Sequence, residues 1–487
     1  MAKGDRSHGR GCGLLALVLV LALVAGAVAV WHFDLADRWW PRAEPDPVTE
    51  PALVAPPPGL ELPAAATPGE VAGTVDPIQA GTVDVAAVRQ ALADGLRDER
   101  LGRHVVVAVG SLDGRGPTYS SGRQPFVPAS TLKLLTGTSV LATLGPDHRF
   151  TTRVMQGPGN RIVLVGGGDP YLASKPVPAD ELDATWPERA DVQTLAEQVA
   201  ASLREAGKAS VRLAYDASLF TGPDVNPTWE AGYVPDDVVS PVSALWVDEG
   251  REPSGYGRVA DPAARAAAEF AAALQEQGIR VAGSPAPGMA GPGGTTLGEV
   301  QSAPLADIVE RVVSVSDNDG AEVLARHVGL AAAQDASFEG AVRGMRTTLA
   351  SLGVKAGADE WFDGSGLSRA NRLSTRTLLS VLRVAASDEH PDLRAVLTGL
   401  PVAGFSGSLT YRFEDDGRPG LGRVRAKTGT LVEGGVHGLA GLVTDRAGGV
   451  LVFVALADRV SEANALPARE AIDDLAADLA GCLCSTG

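Results

Sequence analysis

Lysine is scarce in this chain of 487 residues. Only six of its 42 basic side chains are lysine, at positions 3, 133, 175, 208, 355 and 427, and the other 36 are arginine. A chain so biased fills its generic positive positions with arginine. A lysine inside a motif therefore points to the property arginine lacks, a proton that leaves near neutral pH. Cysteine is scarcer still. Cys12, Cys482 and Cys484 offer neither a disulfide framework nor a zinc-ligand spacing. Cys12 precedes an apolar run instead of following it, which does not suit a lipid acceptor. Cys482 and Cys484 are placed to pair with each other, but the reading preferred from sequence gives them no role. The seven histidines are scattered without an H-E-x-x-H, and His437 reads as a packing residue. Positive charge is in deficit overall: a net charge of −17 argues against a nucleic-acid partner or a phosphate-binding surface. Also missing are G-x-G-x-x-G and G-K-[ST], so the run Gly166-Gly167-Gly168-Asp169-Pro170 fits a tight turn better than a phosphate loop. No cofactor and no metal are expected.

What is present is a serine–lysine pair. Pro128-Ala129-Ser130-Thr131-Leu132-Lys133-Leu134-Leu135 reads as the start of a buried helix. Positions i and i+3 share a helix face, so Ser130 Oγ and the Lys133 amine are within reach of each other. Burial and the positive end of the helix dipole both disfavour an ammonium there, and a neutral amine beside a hydroxyl makes an activated nucleophile. Later come a literal S-D-N, Ser316-Asp317-Asn318, and a literal K-T-G, Lys427-Thr428-Gly429, followed by Thr430. S-x-x-K, S-D-N and K-T-G in that order are the signature of penicillin-binding proteins and class A β-lactamases. Each element is weak alone, whereas the ordered set is specific, and two of the six lysines fall inside it.

The chain divides by composition into five segments. Residues 1–40 place Lys3, Arg6 and Arg10 ahead of an apolar run from Gly13 to Trp31, which is long enough to span a bilayer, with Trp31, Trp39 and Trp40 as an interfacial cluster. This segment is read as a membrane anchor with a cytoplasmic N-terminus. A signal peptide cleaved near Ala27-Val28-Ala29 is the competing reading, and both export everything after Trp40. Residues 41–82 form a Pro-rich linker able to reach about 100 Å if largely extended. Residues 83–150 begin the catalytic domain, with helical periodicity over 88–101, a strand over 104–109, a turn at Asp113-Gly114 and a return strand from Thr118. Residues 151–303 read as an inserted domain: a strand over 161–165, a helix over 192–206, a strand over 210–215, a helix over 263–278 and a loose loop over 283–296. Residues 304–487 complete the catalytic domain with a helix into Ser316, the Lys427 strand, a hairpin over 436–456 and a last helix to Cys482, with Pro467 at a first helical position.

Over about residues 83–480 the sequence resembles the low-molecular-mass class C penicillin-binding proteins, the D-alanyl-D-alanine carboxypeptidase/endopeptidase family. Besides the three motifs, the resemblance rests on 164–170, 216–220, 363–369 and 426–430. It implies an α/β penicillin-recognising serine hydrolase fold, an antiparallel sheet flanked by helices, with a domain inserted between the first two motifs. The insertion is shorter here than in three-domain members, and the innermost domain is expected to be missing. The resemblance further implies that Ser130 is the nucleophile and Lys133 its base, with Ser316 bridging the two motif lysines as proton carrier. Asn318 would hold the substrate amide and Lys133. Lys427 and Thr428 would bind the terminal carboxylate, with Gly429 and Thr430 counted in the same substrate-binding motif; the backbone N–H groups of Ser130 and Thr430 would form the oxyanion hole, and Arg369 would contact the stem-peptide side chain. The partners implied are the peptidoglycan stem peptide as substrate, β-lactams as inhibitors and the membrane through the N-terminal segment, at an extracytoplasmic location.

Three alternatives are weighed. A β-lactamase would need a glutamate to activate the deacylating water, and no E-x-x-L-N-like segment occurs. A wall-binding scaffold with a vestigial site should have lost some of Ser130, Lys133, Ser316, Asn318 and Lys427. A Ser-His-Asp hydrolase would want G-x-S-x-G, a pattern that Gly404-Phe405-Ser406-Gly407-Ser408 misses.

Overall fold

The computed structural model describes residues 82–486 apart from 179–185, 292, 414–418 and 432–434. The apolar run of 13–31, the linker up to 81 and Cys12 lie outside the described residues. Among the described residues no helix is long and apolar enough to cross a membrane.

A short strand, β1 (Thr82–Val83), leads into α1 (Val85–Ala91), whose first N–H groups are capped by the Asp84 carboxylate. The helix predicted over 88–101 stops early, giving way to tight 3-10 turns at Gly95–Arg97 and Glu99–Leu101. The apolar positions Val88, Leu92 and Leu101 are nevertheless buried. Strands β2 (Val105–Ser111) and β3 (Tyr119–Ser121) form the predicted hairpin, and a 3-10 turn at Ala129–Leu132 opens into α2 (Lys133–Leu144). The next stretch contributes β4 (Thr151–Gln156), β5 (Arg161–Val165), α3 (Val192–Glu205), β6 (Ser210–Asp216), α4 (Pro262–Glu276), β7 (Arg280–Val281), β8 (Ala286–Pro287) and β9 (Thr296–Gln301). The segment read as a loose loop thus holds a two-residue strand, β8, paired with β6.

Four helices come next, α5 (Leu305–Val315), α6 (Asn318–Ala333), α7 (Phe338–Ser351) and α8 (Thr375–Ala386), then the single turn α9 (Ala395–Thr398). The chain ends with β10 (Val424–Leu431), β11 (Val436–Thr444), β12 (Val450–Ala457), α10 (Ala465–Gly481) and β13 (Ser485–Thr486). α10 starts two residues before Pro467, so that proline sits in the first turn but not at its first position. Just beyond α10, Cys482 and Cys484 are joined in a disulfide. This corrects the reading that gave them no role. Their Cα atoms stand 5.3 Å apart where the chain turns from the helix to lay β13 along β1, a separation a disulfide spans.

Two sheets organise the described chain. One has the order β10-β11-β12-β2-β3 with every neighbour antiparallel. Its strands alternate with period two. Val106, Ala108, Val452 and Val454 join a core with α2, α5 and α6, while Val107, Val109, Leu451 and Phe453 join a second core with α10. The other sheet, β7-β6-β5-β4-β9 with β8 alongside β6, comes wholly from residues 151–301 and buries Ile162, Leu164, Val211 and Leu213 against α3 and α4. For the site the consequence is simple. β10, which carries Lys427, is the edge of the first sheet, and the 3-10 turn Ala129–Leu132, which runs straight into Lys133 at the start of α2, packs against β10 and β11.

Candidate active site

The serine–lysine pair forms through a tighter turn than the sequence suggests. Ser130 lies in the 3-10 turn Ala129–Leu132, and Lys133 is the first residue of α2. Ala129, one residue before the serine, has a left-handed backbone (φ 46°), a conformation a non-glycine residue holds only where its surroundings enforce it. The Lys133 side chain is completely buried. Its Nζ donates at 2.8 Å to each of three acceptors: Ser130 Oγ, Asn318 Oδ1 and the Ser365 carbonyl. Burial lowers its pKa to about 8, while the carboxylates of Asp317, Glu322, Asp363 and Asp319 oppose a further fall.

S-D-N is the junction of two helices. Ser316 caps the C-terminus of α5 in the left-handed conformation (φ 63°, ψ 39°), and Asp317 caps the N-terminus of α6 by accepting from Gly320 N. Asn318 is the first residue of α6, and its Nδ2 donates to the Val238 carbonyl at 2.9 Å. Asp317 also accepts the Tyr171 hydroxyl at 2.7 Å, so the middle residue of the motif is a structural tie. The predicted bridge by Ser316 is not formed: among the described residues its hydroxyl makes no hydrogen bond to Lys133 or Lys427.

K-T-G lies on β10 beside the serine turn. Gly429 permits the close approach, since a Cβ there would stand 2.9 Å from the Pro128 carbonyl oxygen and 3.1 Å from Thr131 Cγ2. Lys427 is fully buried, and its Nζ donates to the Thr428 carbonyl at 3.0 Å and to Thr428 Oγ1 at 3.4 Å. Burial pushes its pKa well below the ordinary lysine value, and Lys133 and Arg412 push the same way. Thr430 is exposed and pairs across the sheet with His437, which is buried, as the packing reading expects.

Arg369 pairs with a residue outside the three motifs. Its Nε lies 3.3 Å from Glu230 Oε1, in an ion pair between the 363–369 segment and the loop that precedes Val238.

Sequence reasoning passed over several supports of the site. Glu322 is completely buried one turn beyond Asn318, and its carboxylate accepts the N–H groups of Gly364 and Ser365 at 2.7–3.1 Å. That fixes the Ser365 carbonyl on which Lys133 rests. Burial, with Asp363 adding to it, raises the Glu322 pKa to about 7. Asp363 in turn gathers Gly366 N, Ser368 N, Asn371 Nδ2 and Trp229 Nε1. Ser408 Oγ stands 2.8 Å from Thr428 Oγ1. The i,i+4 spacing of Asn318 and Glu322 on one helix was the available signal for the first of these. Nothing local marks Ser408.

A serine hydroxyl held by a buried lysine, beside a sheet edge that carries a second buried lysine, is the arrangement of a penicillin-recognising serine hydrolase. The D-Ala-D-Ala carboxypeptidase 3 (S13) family matches residues 88–256 and 252–479, and the chain belongs to that family. It is 37% identical to carboxypeptidase DacB of Mycolicibacterium smegmatis over 98% of both chains, and 36% identical to a Mycobacterium tuberculosis carboxypeptidase over 84% of this chain and 86% of that one. The crystal structure of penicillin binding protein 4 (dacB) from Haemophilus influenzae shares the fold at a TM-score of 0.64 and 21% identity, covering 82% of this chain and all of the other.

Proposed function

We propose that the protein is a serine D-alanyl-D-alanine carboxypeptidase/endopeptidase that trims peptidoglycan stem peptides through an acyl-enzyme on Ser130 and is inhibited by β-lactams. The observation that carries this reading is the Lys133 amine, buried, pKa about 8, and 2.8 Å from Ser130 Oγ. An amine in that state takes the hydroxyl proton near neutral pH. Ser130 Oγ attacks the carbonyl carbon of the penultimate D-alanine as its proton passes to Lys133. Backbone N–H groups of Ser130 and Thr430 hold the developing oxyanion, at about 3 kcal/mol of barrier per donor. Collapse breaks the C–N bond, and the leaving D-alanine nitrogen takes a proton delivered through Ser316. Water then hydrolyses the ester. Asn318 orients the substrate amide, Lys427 and Thr428 bind the terminal carboxylate, and Arg369 contacts the stem-peptide side chain. Ser316 would complete the bridge between the two motif lysines with substrate in place, since among the described residues its hydroxyl bonds neither of them.

The names of the relatives support the activity, and the motif geometry supports the roles. In the same reading, residues 83–150 and 304–487 form the catalytic domain, 151–303 are inserted into it, and the apolar run of 13–31 holds the enzyme at the membrane with its catalytic part outside. The test is intact-mass spectrometry of the full chain with benzylpenicillin, beside Ser130→Ala, followed by a D-alanine release assay. A lasting adduct on the wild type alone, with D-alanine release, is the expected result. Rapid drug hydrolysis without an adduct would favour a β-lactamase, and neither adduct nor turnover would leave only a scaffold.

A further inference from the structure

Asn318, which holds Lys133, is itself held by residues outside the three motifs. Its Oδ1 accepts from Lys133 Nζ, and its Nδ2 donates to the Val238 carbonyl at 2.9 Å. The second bond decides which end of the amide faces the lysine. Were the group turned over, an N–H donor would stand against Lys133 and the acceptor would be lost. The placement of one backbone carbonyl therefore reaches the base through a single side chain.

Arg258, in the loop before α4, fixes that placement. Its side chain is only 1% exposed, and its guanidinium touches three separate stretches of chain. Nη2 donates to Asp319 Oδ2 at 2.7 Å, Nε lies 2.8 Å from Asp237 Oδ1, and Nη1 donates to the Glu249 carbonyl at 2.8 Å. Asp319 follows Asn318 on α6, and Asp237 precedes Val238 in its loop. One planar group thus joins the neighbours of both partners in the Asn318–Val238 bond. The Ser240 N–H reinforces the join by donating to Asp319 Oδ1 at 2.7 Å. Asp237 and Glu249 have left-handed backbones (φ 61° and 58°), which non-glycine residues keep only where their surroundings enforce it, and Arg258 contacts both. A fork that meets two carboxylates and a carbonyl at once is not reproduced by the compact ammonium of lysine.

We propose that Arg258 is a positioning residue for acylation: it sets the Val238 carbonyl, which orients the Asn318 amide and so keeps an acceptor on Lys133. This deepens the proposed function and rests on it. If Arg258 were only a buried structural ion pair, its replacement would weaken the fold with no dependence on Asn318.

The deciding measurement is a double-mutant cycle on the full chain, with Arg258→Lys and Asn318→Ala, read by stopped-flow acylation with benzylpenicillin. Arg258→Lys alone should slow acylation about tenfold, the scale expected when a catalytic contact is slightly misplaced. In the Asn318→Ala background the same change should slow it less than about twofold, because no amide is left to orient. Arg251→Ala is the control. Arg251 bonds the same loops at Asp237 and Glu249, but among the described residues it makes no hydrogen bond or ion pair with α6, so its loss should change the rate less than about twofold. Asp319→Asn, which keeps an oxygen for the Ser240 N–H, loosens the clamp from the α6 side. It should give the same cycle, and it decides the matter if Arg258→Lys does not fold. Equal slowing in both backgrounds, no slowing at all, or an Arg251→Ala effect as large as that of Arg258→Lys would each overturn the proposal. A folded wild type that takes up no penicillin would overturn the hydrolase reading and the positioning role with it, an outcome distinct from an acylated wild type with independent effects.

Discussion

Lys133 and Lys427 are the same residue type, both fully buried, on opposite sides of one small site, and their surroundings differ completely. Lys133 has three acceptors at 2.8 Å and the field of four carboxylates, which opposes the lowering effect of burial and leaves its pKa at about 8. Among the described residues Lys427 has only the carbonyl and hydroxyl of Thr428, and the charged groups that shift it, Lys133 and Arg412, are both positive. The first environment keeps a proton exchangeable around neutral pH, as a general base requires. Among the described residues the second holds no anion, and in the proposed reading the substrate's carboxylate would supply one. The contrast teaches that burial alone assigns no role to a lysine; the sign of the charges facing it does.

Arginine substitution at each position should separate the two roles most widely. Arginine keeps the charge and cannot give up its proton. Lys133→Arg should therefore lower penicillin acylation by about 10³-fold or more, the scale of a lost general base. Lys427→Arg should cost about tenfold, mostly in apparent affinity, since a guanidinium still pairs with a carboxylate. Stopped-flow acylation kinetics read both. Equal losses would erase the distinction drawn between the two lysines.

Glu322 underlies the Lys133 side of the comparison and provides the next largest effect. Replacing it with leucine orphans the buried N–H groups of Gly364 and Ser365 and should cost about 2–4 kcal/mol in urea denaturation. Glu322→Gln retains an acceptor and should cost less than about 1.5 kcal/mol. The sign of the pH dependence comes from burial raising the folded pKa to about 7 above the ordinary 4.5. The protonated acid is the form folding favours, so its contribution is complete below about pH 4.5 and is lost as pH rises through about 7. The glutamine variant should show a flatter stability profile across that window.

How much of the site was legible in the sequence depends on the range of the contact. The Ser130–Lys133 pairing was readable because two residues three positions apart on one turn face each other whatever the rest of the chain does. The strands around Lys427 were readable from their apolar runs. The left-handed Ser316 was not: a helix ending at Ser316 was readable and Asp317 is a cap residue type, but neither reports the backbone conformation of the serine between the two helices. Nor was Ser365 in the seat of Lys133, because it lies 232 positions away; the Asn318 contact, 185 positions away, was expected only through the family resemblance. The disulfide escaped for a related reason: two cysteines at i,i+2 pair only in a bent backbone, and the bend is imposed by β13 returning to β1. Local periodicity reports elements; the assembled site is a product of their packing.

The pH dependence of acylation sharpens the same comparison at smaller scale. With Lys133 at about 8, the acylation rate constant should climb about tenfold per unit below that value and level above it. Because the Glu322 carboxylate is one of the charges that raise Lys133, Glu322→Gln should move the midpoint to lower pH. A midpoint that stays in place, or rises, would show that the carboxylates under Ser365 do not govern the lysine.

The smallest effect belongs to the periphery of the site. Arg369 and Glu230 form an ion pair at 3.3 Å with side chains 33% and 48% exposed, so screening by water keeps its contribution to stability below about 1 kcal/mol. Arg369→Ala should leave the denaturation midpoint and the penicillin acylation rate nearly unchanged. Its effect should be confined to peptide substrates with a carboxylate-bearing side chain, where KM rises a few-fold while kcat holds. Glu230→Ala supplies the converse, since it removes one carboxylate that competes with substrate for the guanidinium and should lower KM for the same peptides. If both variants shift KM alike for charged and uncharged side chains, the pair merely orders the loop near Val238, and recognition of the stem peptide lies elsewhere along the groove.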